Sequence, residues 1–166
     1  MIRLISKKTY RLSKEEIRPI CLLKDTHWKF GLKFQLSFFK KNIKSFDIHN
    51  ILALNNKIIG YTLLRSRKMK TDLIKKYLLF DTLVIKKNHR NRKLSRLLMA
   101  FNNKIIKNNR KIAFLMCNNN LVKFYKKNNW KKINKKNFRV VDHKFKGNGM
   151  IFNAKRKYPH IDFYTR

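Results

Sequence analysis

The stretch between residues 77 and 107 places the strongest constraint on the fold of this chain. A largely apolar segment, Tyr77–Ile85, is typical of a buried strand. A basic turn follows at residues 86–93, and from Leu94 the apolar residues recur at spacings of three, four and seven, as on one helix face. The first N–H groups of a helix have no internal partner and carry partial positive charge. A strand, a cationic turn and a helix in this order therefore predict a site for an anion, above all a phosphorylated ligand.

Two segments carry a recognisable pattern. The first is Arg90-Asn91-Arg92-Lys93-Leu94-Ser95, which follows Val84 at the end of the predicted strand. The second runs from Asn118 to Trp130 and contains an apolar pair and then Phe124-Tyr125. Their order and separation resemble the landmarks of the GNAT superfamily of acyltransferases, over about residues 48 to 155. In that family the first segment has the form Arg/Gln-x-x-Gly-x-Gly/Ala and the second ends in Gly-Phe, so Lys93 and Asn129 stand where glycine is usual.

The periodicity along the rest of the chain predicts alternating strands and helices. Strands are expected at Ile2–Ser6, Ile48–Leu54, Lys57–Leu64, from Tyr77, at Ile112–Cys117, Trp130–Val141 and Met150–Ala154; helices at Ser13–Leu23 with a break at Pro19, Trp28–Ile43, from Leu94 and at Asn120–Lys127; a loop at Arg65–Lys70; and turns at Asn55-Asn56 and Gly147-Asn148-Gly149. This layout predicts a mixed α/β fold with a helix-flanked sheet. The resemblance implies the GNAT fold, with a mixed, mostly antiparallel central sheet, in one domain that spans residues 1–166.

The charge of the chain is extreme. Forty-three Lys and Arg residues face eight Asp and Glu residues, which gives a formal net charge of +35. Such a charge favours a polyanionic partner, such as nucleic acid, an acidic carrier protein, a nucleotide substrate or an anionic membrane. The alternative is compositional drift, because Lys and Asn are spread along the whole chain and glycine occurs only four times. Both alternatives stay open, and either one makes the binding of an anionic ligand depend on salt.

The two cysteines and the apolar runs bear on the compartment. Cys21 and Cys117 are far apart and form neither a disulfide framework nor a zinc spacing, so we expect a reducing compartment and no metal site. No apolar run approaches the roughly 20 residues that span a bilayer, and the first residues lack the apolar stretch of a signal peptide. We therefore expect a cytoplasmic, soluble protein.

The resemblance implies acetyl-CoA as the cofactor and assigns residues to it. Backbone groups of Leu83, Val84 and Ile85 would pair with the pantetheine arm, in a splay between the Tyr77 strand and the Ile112 strand. The implied phosphate-binding set is Arg90, Asn91, Arg92, Lys93, Leu94, Ser95 and Arg96, and Asn118 and Phe124 complete the cofactor-binding residues.

The backbone of the phosphate-binding loop and the cap of the next helix lead to further expectations. Because the loop has no glycine, Asn91 is the residue that we expect to adopt positive φ. Asn118 is also expected to cap the following helix. The alternative for the loop is a solvated basic helix start, of the kind that this Lys-rich chain has elsewhere.

The catalytic candidates are Tyr125 and Asp81. The resemblance implies that Tyr125 is the acid that protonates the departing thiolate, although Leu121, Phe124 and Tyr125 also have the spacing of an ordinary core-facing stripe. Asp81 is the candidate base, but it lies one position from the commonest register of the family, which reverses the face of a strand. His49 and His143 are alternative bases by residue type. Cys117 is better interpreted as a buried hydrophobic residue than as a nucleophile.

These observations together predict an N-acetyltransferase that acts on a small-molecule amine. The scarcity of carboxylates counts against polycationic acceptors, so an amino sugar nucleotide or another anionic molecule is favoured, and an acidic acyl carrier protein is an alternative donor. A different hypothesis is a nucleic-acid-binding module on a degenerate GNAT scaffold in which Lys93 has cost the protein its cofactor. Aromatics interleaved with Lys between residues 30 and 44 could stack on bases, although helical core packing explains them more simply. A homodimer is an open alternative to a monomer.

Overall fold

A computed structural model describes all residues, 1–166, as nine strands and four α-helices. The strands are β1 Ile2–Lys8, β2 Ile48–Leu54, β3 Lys57–Lys70, β4 Ile74–Ile85, β5 Ala113–Cys117, β6 Lys131–Lys132, β7 Phe138–Val140, β8 Asn148–Phe152 and β9 Ile161–Phe163, and the helices are α1 Lys14–Asp25, α2 Leu32–Asn42, α3 Leu94–Asn108 and α4 Asn119–Lys127. The pairs β4–β5 and β7–β9 are parallel, whereas β1–β2, β2–β3, β3–β9, β5–β8 and β6–β8 are antiparallel. The predicted α/β class with a mixed, mostly antiparallel sheet is confirmed. None of the helices has the length and apolar character that crossing a membrane requires.

The chain divides into two compact units. The first unit comprises Met1–Arg65 and Thr82–Asn102, and the second comprises Ser66–Asp81 and Asn103–Arg166. Strands β3 and β4 and helix α3 each contribute residues to both units.

In the first unit, the strands follow the order β1-β2-β3-β4 and carry a helix on each face. Ile51 of β2 belongs to a buried cluster with Ile20 of α1, whereas its neighbour Leu52 belongs to a cluster with Leu98 of α3. Successive side chains of a strand point to opposite faces. Helix α1 therefore covers one face and α3 the other.

Helix α1 confirms one prediction and corrects another. The predicted capping box is present, since the Ser13 N–H donates to Glu16 Oε2 at 3.1 Å. The predicted break at Pro19 is wrong, because the helix continues unbroken to Asp25. Proline in a helix interior costs about 3 kcal/mol. Burial of Ile20 and its neighbours on the same helix, at about 1.5–3 kcal/mol for each large apolar side chain, offsets that cost.

The predicted loop at Arg65–Lys70 is also wrong, because these residues continue β3 as a strand. Arg65, Arg67 and Met69 are buried and alternate with more exposed residues, which is the period of a strand. An arginine can bury its aliphatic stem while its charged head finds polar partners. The high charge of this segment therefore hides the pattern of a half-buried strand.

The second unit has the strand order β4-β5-β8-β6, with β9 against β3 and β7. Its core is aromatic, since the rings of Phe114 and Phe163 stack with centroids 3.9 Å apart. The predicted strand Trp130–Val141 is wrong as one element, because a 3₁₀ turn divides it into β6 and β7. Strand β9 has no counterpart among the predicted elements.

The predicted turn at Gly147-Asn148-Gly149 is wrong as well, because Asn148 and Gly149 belong to strand β8. The glycine is required by close packing at this point. A Cβ at Gly149 would lie 2.6 Å from the ring of Phe138 and 2.8 Å from that of Phe114.

Most of the few carboxylates stabilise the fold by accepting hydrogen bonds from other parts of the chain. Each accepts hydrogen bonds from a loop N–H group, a hydroxyl or a cationic side chain. The pairs are Glu16 with Lys7 and Ser13, Asp25 with Gly31, Asp47 with Lys44, Asp142 with Thr165 and Arg166, and Asp162 with Arg139 and His160. The hydrogen bond from Arg139 is the main reason why the pKa of Asp162 lies below its usual value. The acidic residues of this chain are thus largely committed to structure.

Candidate functional site

Two hydrogen bonds attach the first part of the basic loop, residues 86–93, to the sheet of the first unit. The Lys86 N–H donates to Ile59 O of β3 at 2.8 Å, and a 3₁₀ turn, Lys87–His89, follows. The Arg90 Nε then donates to Ile85 O, the last carbonyl of β4, at 3.0 Å. Arg90 therefore positions the loop, and its Nε is not available to a ligand.

Two residues of the basic loop have left-handed backbones. Asn91 has φ 63°, which confirms the prediction that it replaces glycine in this conformation. Lys93, which stands where the family landmark has glycine, has φ 57°. A non-glycine residue in this region costs roughly 1–2 kcal/mol. The loop thus takes a conformation that favours glycine without containing one.

The basic loop ends in a set of unpaired backbone donors. The Lys93 carbonyl accepts from Arg96 N at 3.0 Å and from Leu97 N at 3.2 Å, which begins the 15-residue helix α3. The N–H groups of residues 92 to 95 donate to no acceptor in the protein. The side chains of Arg92, Lys93 and Arg96 are exposed around them. Unpaired N–H groups at a helix start, among cationic side chains, form a site for a phosphate-like anion.

The last residues of β4, directly before the basic loop, are packed on both faces of the sheet. Val84 packs in the cluster that contains Ile20 of α1, whereas Leu83 and Ile85 pack in the cluster that contains Leu98 of α3. Hydrophobic contacts on both faces therefore fix the backbone that leads into the basic loop.

Tyr125 lies in the second unit, in an aromatic cluster. Its side chain is 7% exposed, and its ring centroid is 6.1 Å from that of Phe80 and 6.3 Å from that of Trp130. Its hydroxyl makes no hydrogen bond and is not among the fully enclosed polar atoms without a partner, so the phenol oxygen keeps access to solvent. Burial, with a further contribution from Cys117, raises the pKa of Tyr125 well above its usual value. The phenol therefore keeps its proton near neutral pH.

The end of helix α4 holds this cluster in place. Asn129 has φ 67°, and Trp130 N donates to Tyr125 O at 3.1 Å while Asn129 N donates to Lys126 O at 3.0 Å. These are the two bonds of a Schellman motif, with asparagine at the position that usually holds glycine. The Trp130 indole N–H then donates to Asn103 Oδ1 at 3.0 Å. The ring that packs on Tyr125 is thereby fixed in orientation.

A cavity of about 610 Å³ lies in the second unit, near Cys117, the last residue of β5. Its lining is strongly basic: Lys135, Arg139, His143, Lys144 and Lys146 are all part of it. The carboxylate in the lining, Asp142, is engaged by the N–H groups of Thr165 and Arg166, each at 2.7 Å. The cavity therefore favours an anion over a cation.

The cavity also lies close to the surroundings of Tyr125. Gly147, which lines it, packs so closely on β5 that a Cβ there would lie 2.6 Å from Cys117 O. Cys117 in turn contributes to the raised pKa of Tyr125. A basic cavity and a protonated phenol are thus neighbours of the same residue.

Comparisons with known proteins bear on the fold. No family model matches the sequence, and none of the curated proteins matches it. Among solved structures, it is similar to an acyl-CoA N-acyltransferase from Pseudomonas aeruginosa, with a TM-score of 0.68 at 12% identity over 91% of this chain and 99% of that chain. The GNAT family N-acetyltransferase YhbS from Escherichia coli, in complex with CoA, gives a TM-score of 0.70 at 9% identity over 98% and 91% of the two chains. The PaiA N-acetyltransferase from Thermoplasma acidophilum, in complex with coenzyme A, gives 0.54 at 16% identity over 90% and 98%.

The chain has the GNAT fold. The resemblance seen in two short segments of sequence is therefore confirmed at the level of the fold. Within the GNAT fold of this protein, the pairing of β4 with β5 consists of Leu78 with Ala113 and Leu79 with Phe114. The parallel pairing of β4 with β5 therefore involves residues in the middle of β4, well before its end at Ile85.

The GNAT fold groups the predicted site residues unit by unit. It gathers the β4 end, the basic loop and the start of α3 in the first unit, and Asp81, Asn118, Phe124 and Tyr125 in the second. Asp81 is exposed and adjacent to Phe80, so it points away from the ring that packs on Tyr125. Asn118 occupies the N-cap position of α4, but its side chain makes no capping bond, so the predicted cap is wrong. Phe124 is half-buried beside Tyr125.

The two histidines considered as alternative bases lie in different surroundings. His49 is fully buried, with Nδ1 2.7 Å from Tyr61 Oη and Nε2 2.8 Å from Thr9 Oγ1, and burial lowers its pKa to about 4. His143 lies in the basic cavity, 3.5 Å from a carboxylate oxygen of Asp142. Cys117 is buried as expected, and burial raises the pKa of its thiol.

Sequence reasoning missed two parts of the site. The first is the role of Arg90 in holding the basic loop, because residue spacing does not show which acceptor a guanidinium group binds. The second is the basic cavity between Lys135 and Gly147, where a rise in charge beside a glycine is the signal that the sequence offers.

Proposed function

We propose that this protein is an N-acetyltransferase that moves an acetyl group from acetyl-CoA to an amine. The observation that carries the proposal is the set of unpaired N–H groups of residues 92 to 95. Four backbone donors at the start of a long helix, with Arg92, Lys93 and Arg96 beside them, suit a diphosphate. The GNAT fold and the two CoA complexes among its structural neighbours support the choice of ligand.

The residues present fit coenzyme A in three respects. Left-handed backbones at Asn91 and Lys93 allow the loop to turn its N–H groups outward. The exposed cations of the loop complement the diphosphate and 3′-phosphate, and β4 supplies backbone groups at Leu83 and Val84 for the pantetheine amides. When bound, acetyl-CoA would supply an activated thioester. This fit supports a working enzyme over a degenerate scaffold, because Lys93 keeps the conformation that glycine would take.

Tyr125 is proposed as the donor of a proton to the departing sulfur. Its hydroxyl has no partner in the protein and keeps access to solvent, so it is free to donate. Its raised pKa keeps the proton on the oxygen at neutral pH, and a positioned phenol can stabilise negative charge that develops nearby. Asp81 stays a hypothesis as the base.

The basic cavity is proposed to bind the acceptor, which would then be an anionic amine such as an amino sugar nucleotide. Its cationic lining and its engaged carboxylate support this class and count against polyamines. Its closeness to Cys117, beside Tyr125, supports a place near the acid.

A calorimetric titration with acetyl-CoA tests the proposal, combined with hydrogen exchange of the backbone amides. We expect binding that protects residues 92 to 96 from exchange. Arg92→Ala should weaken binding about 10- to 100-fold, since a charge-assisted hydrogen bond contributes about 1.5–3 kcal/mol. Arg18→Ala, an exposed change of equal charge on α1, is the control and should weaken it much less. No binding at low salt, or binding without protection at these amides, would contradict the proposed site.

The acceptor class needs its own assay. Release of free thiol is measured with a panel of anionic, neutral and cationic amines. In the double variant Lys144→Gln, Lys146→Gln, we expect the KM for an anionic amine to rise roughly 2- to 10-fold, because exposed charge pairs contribute little individually. Lys131→Gln with Lys155→Gln, two exposed lysines outside the cavity, is the control of equal charge. Preference for cationic amines would refute the anionic class and leave acetyl-CoA binding unaffected.

A further inference from the structure

The first unit presents an exposed aromatic pair that has no role in the proposed acetyl transfer. Tyr10 is 54% exposed and Phe46 is 66% exposed, and their rings meet edge to face with centroids 5.8 Å apart. We call this pair the aromatic platform. Two cations accompany it: Lys8 Nζ lies 5.4 Å from the Phe46 centroid, and Arg11 Cζ lies 5.5 Å from that of Tyr10.

Backbone hydrogen bonds join the two segments that carry the aromatic platform. The two rings come from segments far apart in sequence, joined where Thr9 N donates to Asp47 O at 3.0 Å and Tyr10 N donates to Ser45 O at 3.3 Å. Asp47 is fully buried, and its carboxylate accepts from Lys44 N at 2.9 Å, which closes the loop that carries Phe46. Segments joined in this way lose little backbone freedom when a ligand binds. The hydrogen bonds therefore place the two exposed rings side by side.

The chemistry of the aromatic platform selects a ligand that offers flat rings and negative charge together. Nucleobases stack on exposed aromatic side chains, and the phosphates between them pair with flanking cations. Single strands fit better than duplexes, because their bases are accessible. The net charge of +35 supplies the long-range attraction. We propose that Tyr10 and Phe46 are a stacking site for single-stranded nucleic acid, with Lys8 and Arg11 as phosphate contacts.

A second exposed aromatic pair provides a matched control. Phe30 is 64% exposed and Phe34 is 51% exposed, with ring centroids 5.1 Å apart. No cation lies over either ring. This pair is exposed to a similar degree as the aromatic platform but lacks its flanking cations. It therefore distinguishes stacking at the platform from non-specific binding to any exposed aromatic ring.

The test compares two fluorescently labelled strands of equal length, oligothymidylate and an abasic strand with the same phosphates. A length of about 12 nucleotides falls within the range that single-stranded sites cover. We expect the protein to bind oligothymidylate more tightly than the abasic strand, by about 5- to 100-fold for each stacked base. Tyr10→Ser with Phe46→Ser should reduce the affinity for oligothymidylate to that for the abasic strand. Phe30→Ser with Phe34→Ser should keep the difference.

The flanking charges are tested by salt dependence. Lys8→Gln with Arg11→Gln should reduce the slope of log K against log salt by up to about 1.4, since each phosphate contact on a single strand contributes about 0.7. Circular dichroism of each variant checks that it is folded, as expected for changes at exposed side chains.

Several outcomes would overturn the proposal. Equal binding of both strands by the unaltered protein would show attraction by charge alone. Loss of the difference in the Phe30 and Phe34 variant, but not in the Tyr10 and Phe46 variant, would move the site elsewhere. Binding to anionic phosphatidylserine vesicles that the Tyr10 and Phe46 changes abolish, while oligothymidylate binding stays intact, would assign the surface to lipid. None of these results depends on whether acetyl-CoA binds.

Discussion

Replacement of Lys93 by glycine offers a sharp test of the basic loop. The backbone of Lys93 lies in the left-handed region, with φ 57°, where a side chain costs roughly 1–2 kcal/mol. Glycine removes that cost, but it also gives the unfolded chain more freedom, which opposes folding by roughly 0.5–1 kcal/mol. We therefore expect Lys93→Gly to raise the free energy of unfolding by about 0.5–1 kcal/mol.

Two variants separate conformation from charge. Lys93→Ala removes the same charge but keeps the strain, so it should not stabilise the protein. Lys87→Gly removes a charge from the same loop at a residue that is not left-handed, and it should destabilise the protein by roughly 0.5–1 kcal/mol. Urea unfolding at fixed pH and salt measures all three. For a chain of this size, a change of 1 kcal/mol corresponds to about 2–4 °C in Tm.

The same variants report on the ligand site. Lys93→Gly should keep acetyl-CoA binding and reduce its salt dependence, because one exposed cation is lost while the backbone donors stay in place. If Lys93→Gly destabilises the protein as much as Lys87→Gly does, the left-handed backbone at Lys93 is refuted. A large gain in acetyl-CoA affinity would show instead that the lysine obstructs the loop, which is the hypothesis of a degenerate scaffold.

Three further predictions concern the rest of the chain. Tyr125→Phe should leave stability nearly unchanged, because the lost hydroxyl makes no hydrogen bond, and should slow thiol release about 10²–10⁴-fold; near-normal turnover would remove Tyr125 from the mechanism. His49 has a folded-state pKa of about 4 against 6.5 for an ordinary histidine, so the unfolded chain takes up its proton first, and stability should fall by up to about 3 kcal/mol as pH drops from 6.5 to 4. Urea unfolding across that range should show that His49→Gln loses less unfolding free energy than the unaltered protein, whereas the exposed control His27→Gln loses as much. An equal pH dependence of unfolding free energy in all three proteins would contradict the buried placement of His49. Gly149→Ala should destabilise the protein by about 1–3 kcal/mol in thermal unfolding, because the new methyl group meets the ring of Phe138 at 2.6 Å; a neutral result would contradict that packing.

The parts of the fold that the sequence predicts are those in which local chemistry and packing agree. Asn55 and Asn56 both have positive φ, as expected for a tight turn between β2 and β3. The left-handed Asn91 is another such case, since asparagine tolerates this conformation better than other residues with a side chain.

The prediction fails where packing overrides local preference. Pro19 sits inside an intact helix because its neighbours are buried, and Arg65 and Arg67 sit in a strand because their stems are buried. Strand β9 is only three residues long, so its periodicity carries little information and its pairing with β3 and β7 decides its existence. Most of the lining of the basic cavity comes from residues 141–147, between β7 and β8, where no period relates the residues that share a surface.

The small number of carboxylates, most of which make structural hydrogen bonds, has a consequence for the solution conditions that this protein needs. The eight acids, most of them held by loops, cations and chain segments, stand against 43 lysines and arginines and leave a formal net charge of +35, so much of the mutual repulsion of the cations has to be offset from outside the chain. That task falls to dissolved anions, which bind the folded form and stabilise it by mass action. Phosphate, sulfate or a polyanion should therefore lengthen the lifetime of the folded protein, whereas dialysis into a dilute buffer should shorten it. The chain itself neutralises only 8 of its 43 positive charges, and its surroundings must neutralise the rest.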